Sequence, residues 1–231
     1  MNDAVGENVL ANRARPCSRQ GRELNEGSLY GRSPGDRKYL NAEERGRVMR
    51  SAIERLPPDQ ALFVLTLAWT GARVSEVLAL CPSSFQIEAG TVAICTLKRR
   101  RPSIREIPFP PDLMSALNAH FGLLSAQRSE GADRPIWVWC RQTAWRITKR
   151  VTEEAGVRGR RASPRGFRHA FGVGTLQAGI PLNLVQRWLG HASMTTTAIY
   201  AAASGPEEAA FAARFWQSAW PKELHGGIRD T

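Results

Sequence analysis

The sequence predicts a mainly α-helical domain with a small antiparallel β-sheet, an α+β fold. Most of the chain places apolar residues at the spacing of an amphipathic helix. Two segments, 91–97 and 104–109, instead alternate and are rich in β-branched residues. A basic segment containing Pro102 and Ser103 separates them, which is typical of a β-hairpin. The prediction is therefore a helical domain around one hairpin.

The folded domain is predicted to begin near residue 39. Residues 1–38 are rich in Gly, Ser, Asn and Arg and show little apolar periodicity, which predicts a mobile N-terminal arm. Asn41 can then cap a helix, and Glu44, three residues on, can reach back to the cap. This pattern marks the first helix of the domain.

The remaining elements follow in chain order. The first helix is predicted to end near Arg55, and the second to run from Gln60 to about Trp69. Further helices are predicted over 111–127, 142–155, 164–178 and 182–189. Gly71 breaks the second helix, so Arg73 starts the next one, where backbone N–H groups favour an anion. Residues 135–139 are predicted as a short strand or extended piece. A short helix is expected to carry Tyr200, and a last helix is expected to start after Gly205.

The chain is strongly basic, which favours a polyanionic partner. Its 231 residues include 32 Lys and Arg against 21 Asp and Glu, giving a net charge of +11. A basic composition can also serve solubility alone, but here the charge is clustered. Between Arg141 and Arg168 there are nine basic residues and only two acids, and residues 98–101 form a second basic run.

The sequence predicts no transmembrane helix, no secretory signal and no metal site. The longest mainly apolar run, 61–69, is far shorter than the roughly 20 residues that span a bilayer. The N-terminus lacks a basic region leading into an apolar core, so a cytoplasmic protein is predicted. The four cysteines lie far apart, with no histidine at zinc-ligand spacing. Free thiols and no metal are therefore expected.

Three short motifs point to chemistry on a phosphate. They are Thr70-Gly71-Ala72-Arg73-Val74-Ser75-Glu76, Arg165-Gly166-Phe167-Arg168-His169, and Leu189-Gly190-His191 with Tyr200 nine residues after the histidine. A tyrosine hydroxyl is a poor nucleophile near neutral pH, so it needs cations to hold the phosphate and a neighbour to take its proton. The order and spacing of the motifs, with a hairpin lysine between the first two, resemble the tyrosine recombinase, or phage integrase, family. The resemblance covers roughly residues 39–202.

The resemblance implies a role for each matching residue. Arg73 and Arg168 would hold the scissile phosphate, because a guanidinium fork can contact two phosphate oxygens at once. Tyr200 would be the nucleophile, and His191 would donate to the phosphate or assist the tyrosine. Glu76 would orient its helix or Arg73 rather than transfer a proton. Taken singly, each has a plainer interpretation, such as a surface arginine or a half-buried tyrosine.

The sequence departs from the family pattern within the site. Arg165 stands three residues before Arg168, where the family usually has histidine, and an arginine cannot act as a base near neutral pH. His169 is not expected to replace that histidine, because one helical step turns it roughly 100° from Arg168. The resemblance implies that Lys98 is the general acid for the departing 5′ oxygen. Arg100 is the alternative, because counting back from Pro108 places it at the expected position.

The resemblance implies a site-specific recombinase that cuts and rejoins double-stranded DNA through a 3′-phosphotyrosyl intermediate, with no cofactor. Two alternatives stay open: a catalytically weakened DNA-binding or accessory protein of the same fold, and a type IB-like topoisomerase. Further basic side chains are expected to follow the DNA backbone, namely Arg99, Arg100, Arg101, Arg146, Lys149, Arg150, Arg158, Arg160 and Arg161.

The predicted organisation is an arm, a catalytic domain over 39–204, and a C-terminal helix and tail over 205–231. That helix either covers the domain's own core or packs in trans on a neighbour. Family members commonly carry an N-terminal DNA-gripping domain, and the sequence has only a short arm in that place. An accessory partner that clamps DNA is therefore one expectation, and self-assembly as a dimer or tetramer on paired sites is another.

Overall fold

The computed structural model describes residues 29–30, 36–96 and 103–201. Within these ranges the chain forms α1 (Ala42–Arg55), α2 (Pro58–Thr70), α3 (Val74–Leu78), β1 (Phe85–Gln86), β2 (Thr91–Thr96), β3 (Ser103–Pro108), α4 (Pro111–Phe121), α5 (Leu123–Ala126), α6 (Arg141–Glu154), α7 (Pro164–Gln177), α8 (Leu182–Leu189) and α9 (Met194–Ala201). The mainly helical α+β class is confirmed.

Helix α1 begins at the predicted capping box. The Asn41 side chain accepts a hydrogen bond from the Glu44 backbone N–H at 2.8 Å, and Glu44 Oε2 accepts one from the Asn41 N–H at 3.1 Å. Glu44 is buried and also pairs with Arg37 and Arg161. The start of α1 is thereby tied to the loop that precedes α7.

Helix α2 lies at the centre of the domain. Proline at its first position fits the helix start, and Gly71 ends it in the left-handed conformation with φ of 59°. Phe63 and Leu67 are fully buried, and α2 packs against α1, α4 and α7. The predicted second helix is confirmed, beginning two residues earlier than expected. Its end at Gly71 places Arg73 at the edge of the core.

The predicted hairpin is confirmed and belongs to a three-stranded antiparallel sheet in the order β1-β2-β3. Val92 of β2 lies opposite Ile107 of β3, and both are buried. Arg105, two residues before Ile107, points to the same buried side. Strand β1 was missed, because two residues are too few to show an alternating pattern.

The single helix predicted over 111–127 is wrong. Gly122 adopts φ of 61°, which ends α4 and lets α5 start in a new direction. Residues 135–139 form no strand, and Trp137 among them packs edge-on against Phe63. Trp137 also packs edge-on against Phe121 of α4, so both segments cover part of α2.

Several predictions fall on residues that the structure does not describe. They concern the arm up to residue 28, the hairpin turn over 97–102, and the C-terminal helix within 202–231. Among the helices of the described ranges, none is long and apolar enough to cross a membrane.

Candidate active site

The predicted site residues within the described ranges meet in a cleft of about 950 Å³ between α3, α7 and α9. Six side chains of chemical interest line it: Arg73, Arg165, Arg168, His169, His191 and Tyr200. They come from three separate parts of the chain, so the fold rather than sequence proximity brings them together. The cleft thus combines cations with a phenol and two imidazoles.

Arg73 is held at the cleft by a buried carboxylate. Its Nη1 donates to Glu76 Oε1 at 2.7 Å, and its backbone N–H donates to Oε2 of the same residue at 3.0 Å. Arg105 Nη2 donates to Glu76 Oε2 at 2.6 Å. Burial alone would raise the pKa of Glu76, but Arg105 and the hydrogen bonds from Arg73 hold it below its ordinary value. The carboxylate therefore stays ionised between two arginines.

Arg105 was missed by the sequence analysis. It also donates to the Trp188 carbonyl oxygen at 2.7 Å and to Thr96 Oγ1 at 2.8 Å, so it links β2, β3, α3 and the end of α8. Gly190, at φ of 66°, leaves room for this side chain, since a Cβ there would lie 3.2 Å from Arg105. Period-two counting from the buried Ile107 places Arg105 on the inner face and could have found it.

Arg168 is almost fully buried beneath the cleft. Its Nη1 donates to the Gly71 carbonyl oxygen at 2.8 Å and its Nη2 to the Leu189 carbonyl oxygen at 2.7 Å. Burial, and then the charge of Arg73, lower its pKa to about 10, so it remains a cation at neutral pH. The two carbonyl groups fix the guanidinium between the ends of α2 and α8.

Tyr200 is 3% exposed and packs tightly on α7. Gly172 makes this possible, because a Cβ at that position would lie 2.7 Å from the tyrosine ring. Burial raises the pKa of the Tyr200 phenol, while Arg168, Arg165 and Arg73 act in the opposite direction. The hydroxyl is therefore protonated in the free protein at neutral pH.

Replacing Gly172 with alanine should displace the Tyr200 ring. Alanine favours helix by about 1 kcal/mol over glycine, but overpacking at 2.7 Å costs about 1–3 kcal/mol, so we expect a net loss of unfolding free energy. Gly46→Ala is the matched control, because α1 leaves nothing within 4 Å of its Cβ. Urea unfolding should show the control more stable than the parent. A more stable Gly172→Ala protein would contradict the predicted clash.

His169 contacts the tyrosine, which the sequence analysis did not predict. Its Nδ1 lies 3.2 Å from Tyr200 Oη, and Arg165 Nε donates to its Nε2 at 3.2 Å. The sequence placed His169 only by its angle from Arg168 on the same helix, and it could not show that α9 packs against α7. Burial, followed by the charges of Arg165, Arg168 and Lys38, lowers the pKa of His169 to about 4. The ring is therefore neutral at pH 7.

His191 follows Gly190, which ends α8 in the left-handed conformation. Its Nδ1 lies 2.8 Å from the hydroxyl oxygen of Thr197, a fully buried residue on α9, and this contact orients the ring. The imidazole stacks on the Tyr200 ring at 14°, with 6.2 Å between centroids. Burial, then Arg168 and Arg73, lower its pKa to about 3, so this ring is neutral as well.

The other predicted DNA-contacting residues lie outside the cleft or outside the described ranges. Lys98, Arg99, Arg100 and Arg101 belong to the second group. On α6, Arg146 is exposed, Lys149 pairs with Glu153, and Arg150 donates to Gln60. After α6, Arg158 and Arg160 are exposed and Arg161 pairs with Glu44. Arg141, at the start of α6, does line the cleft. The basic residues that follow it on α6 and in the next loop, from Arg146 to Arg161, are called the basic surface below.

This fold and cleft agree with comparisons to known proteins. Residues 38–206 match the family model described as the phage integrase family, and the chain belongs to that family. It is 31% identical over 190 residues to the tyrosine recombinase XerA of Pyrococcus furiosus, a match that covers 77% of this chain. The chain spans 63% of the length of that relative.

Solved structures of recombinases share the fold. The crystal structure of a XerA recombinase superposes with a TM-score of 0.61 at 22% identity, covering 80% of this chain and 64% of that one. The XerH site-specific recombinase bound to its difH substrate, a pre-cleavage complex, gives a TM-score of 0.59 at 23% identity over 78% of this chain and 54% of that one. The described helices and sheet therefore have the same fold as the matching parts of these recombinases.

Proposed function

We propose that this chain is a site-specific DNA recombinase that cuts and rejoins DNA strands through Tyr200. The observation that carries the proposal is the grouping of the Tyr200 hydroxyl with Arg73, Arg165 and Arg168 in one cleft. The net charge of +11 supports a DNA substrate, as does the likeness to XerH, whose structure holds a DNA substrate.

The reaction is a transfer of one phosphate ester to another. The Tyr200 oxygen attacks the phosphorus of a backbone phosphate and loses its proton to water in the cleft. The bond from phosphorus to the 5′ oxygen breaks with its electron pair, and the 5′ oxygen takes a proton from the general acid, for which Lys98 remains the candidate. The product is a 3′-phosphotyrosyl ester and a free 5′ hydroxyl. Attack by a 5′ hydroxyl on the phosphotyrosyl ester rejoins a strand and releases Tyr200. One phosphate ester replaces another in each step, so no external energy source is needed.

The arginines supply the electrostatic part of catalysis. Arg73 and Arg168 are preorganised by Glu76 and by two backbone carbonyl groups, so they need little rearrangement to meet the phosphate. Charge builds on the phosphate oxygens in the transition state, and fixed cations stabilise it more than they stabilise the ground state. Arg165 adds a third cation at the rim of the same cleft.

His191 is assigned to the phosphate side of the reaction. With the Thr197 hydroxyl donating to Nδ1, the imidazole carries its proton on Nε2 and can donate it to a phosphate oxygen. The arginines that lower the pKa of His191 would be neutralised in part by a bound phosphate, which raises that pKa again.

The proposed organisation keeps residues 39–204 as the catalytic domain, between an arm over 1–38 and a tail over 205–231. Double-stranded DNA is the proposed substrate. Assembly as a dimer or tetramer on paired sites, and a partner that clamps DNA, are proposed with it. The basic surface on α6 next to Arg141 is the proposed path of the DNA backbone.

Trapping of a covalent protein–DNA adduct tests the proposal. Duplexes that the protein selects from a random-sequence pool are given a nick near the bound site, so that a cut strand can diffuse away. The wild-type protein should then form an adduct that survives a denaturing gel, and Tyr200→Phe should form none, because it lacks the attacking oxygen.

Tyr30→Phe is the matched control, since Tyr30 contacts Tyr39 and does not line the cleft. It should form the adduct as the parent does. DNA that is bound but never attached would favour the DNA-binding alternative, which the arginine at position 165 motivates. An adduct that persists in Tyr200→Phe would refute the assignment of the nucleophile. Relaxation of supercoiled DNA without exchanged strands would favour the topoisomerase alternative.

A further inference from the structure

We infer that Arg165 fixes the tautomer of His169, so that His169 donates a hydrogen bond to the Tyr200 oxygen. The inference rests on the proposed role of Tyr200 as nucleophile. It assigns His169 as a further catalytic residue, because it touches the reacting oxygen. Arg165 becomes a positioning residue that acts through the imidazole.

The hydrogen-bond directions follow from the donor inventory. Arg165 Nε always carries its one hydrogen, so it can only donate to His169 Nε2. A neutral imidazole that accepts at Nε2 must carry its proton on Nδ1. Nδ1 lies 3.2 Å from Tyr200 Oη, so the imidazole donates and the phenol oxygen accepts. The phenolic proton is then directed away from His169, towards the cleft.

This arrangement suits the attacking step. His169 is 7% exposed, and the cations around it are Arg165 and Arg168 on α7 and Lys38 ahead of α1, all of which disfavour a charged imidazole. His191, which stacks on the Tyr200 ring, is neutral too. A neutral N–H aimed at the phenol oxygen stabilises the negative charge that grows there as the proton leaves. His169 therefore holds the nucleophile and is not its base.

The arrangement also gives the unusual arginine a purpose. Arg165 is exposed, and its Nε donates to His169, which lies one helical turn later on the same face of α7. Its remaining guanidinium N–H groups are still able to face the cleft that it lines. One side chain can thus set the imidazole tautomer and present positive charge to a phosphate.

Imidazole ¹⁵N NMR of the DNA-free protein tests the tautomer directly. The chain has four histidines, and the spectrum of His169→Asn identifies the signals of His169. Wild type should show His169 with its proton on Nδ1. Arg165→Met should shift the proton to Nε2, because the Tyr200 hydroxyl is then free to donate to Nδ1. Arg165→Lys should restore the wild-type pattern, since an ammonium also donates. A proton on Nε2 in wild type, or an unchanged tautomer in Arg165→Met, overturns the inference.

The rate of adduct formation provides the second arm. In His169→Asn the amide N–H can replace the Nδ1–H donor, whereas His169→Leu has similar bulk and no donor. We expect adduct formation in His169→Leu to be about 100-fold slower than in His169→Asn. Equal rates in the two variants would overturn the inference. Absence of any adduct in wild type would instead refute the proposed function, and the NMR result would still decide the tautomer.

Discussion

Replacing Glu76 with alanine is expected to lower the free energy of unfolding by about 3–5 kcal/mol, because it strands buried positive charge. Glu76 is 2% exposed and accepts from both Arg73 and Arg105. The Arg105 side chain is only 4% exposed, so water cannot replace the lost carboxylate without opening the structure. Urea unfolding at neutral pH measures the change.

Two further variants separate charge from shape. Glu76→Gln keeps the size and one acceptor oxygen, so it should lose less stability than alanine. Glu43→Ala removes a carboxylate that pairs with Arg47 on the surface, where the Glu43 side chain is 75% exposed, and should cost about 0–1 kcal/mol. A Glu76→Ala protein no less stable than Glu43→Ala would show that Arg105 finds another partner.

The Glu76 carboxylate connects the stability of the folded protein to the geometry of the cleft. Through Arg105, Glu76 reaches the backbone of Trp188 and the sheet, and through Arg73 it reaches the cleft. Arg73 is therefore held by a buried ion network that includes Glu76 and Arg105. Burying these charges costs desolvation free energy. In exchange, the Arg73 guanidinium is already fixed at the place where the proposed phosphate would bind.

The sequence was sufficient to predict those helix boundaries that are set by neighbouring residues along the chain. Asn41 and Glu44 form the capping box within one helical turn, and Gly71 ends α2 because its own backbone takes the left-handed conformation. Gly122 acts in the same way, but its place within a continuous amphipathic pattern concealed the break between α4 and α5.

The parts of the site that could not be predicted depend on contacts distant in sequence. Arg105 bonds to the backbone of Trp188, which lies 83 residues further on, and His169 meets Tyr200 across 31 residues. Motif matching selected Arg73, Arg168, His191 and Tyr200 but carried no information on which helix faces pack. The arrangement of α9 across α7 decides that His169, rather than the residue at 165, touches the phenol.

Acid should destabilise the folded protein through His169, by about 3 kcal/mol between pH 7 and pH 4. Burial, followed by Arg165, Arg168 and Lys38, lowers its pKa from 6.5 to about 4 in the folded state. Above pH 6.5 the imidazole is neutral in both states and contributes nothing to the pH dependence. Below pH 6.5 only the unfolded chain gains the proton, so stability falls as pH falls and levels off below about pH 4.

Comparison of wild type with His169→Asn isolates this effect, because other groups with shifted pKa values, such as Glu76, contribute equally to both proteins. Urea unfolding from pH 7 to pH 4 should show the stability of wild type, measured relative to the variant, falling by about 3 kcal/mol. His191→Asn should remove a second contribution of the same sign, since the pKa of His191 is lowered to about 3. A difference between wild type and His169→Asn that does not change with pH would mean that the folded protein accommodates a charged His169. Below pH 6.5 such an imidazolium would carry a proton on both ring nitrogens, so it could not accept from Arg165 and there would be no tautomer for Arg165 to select.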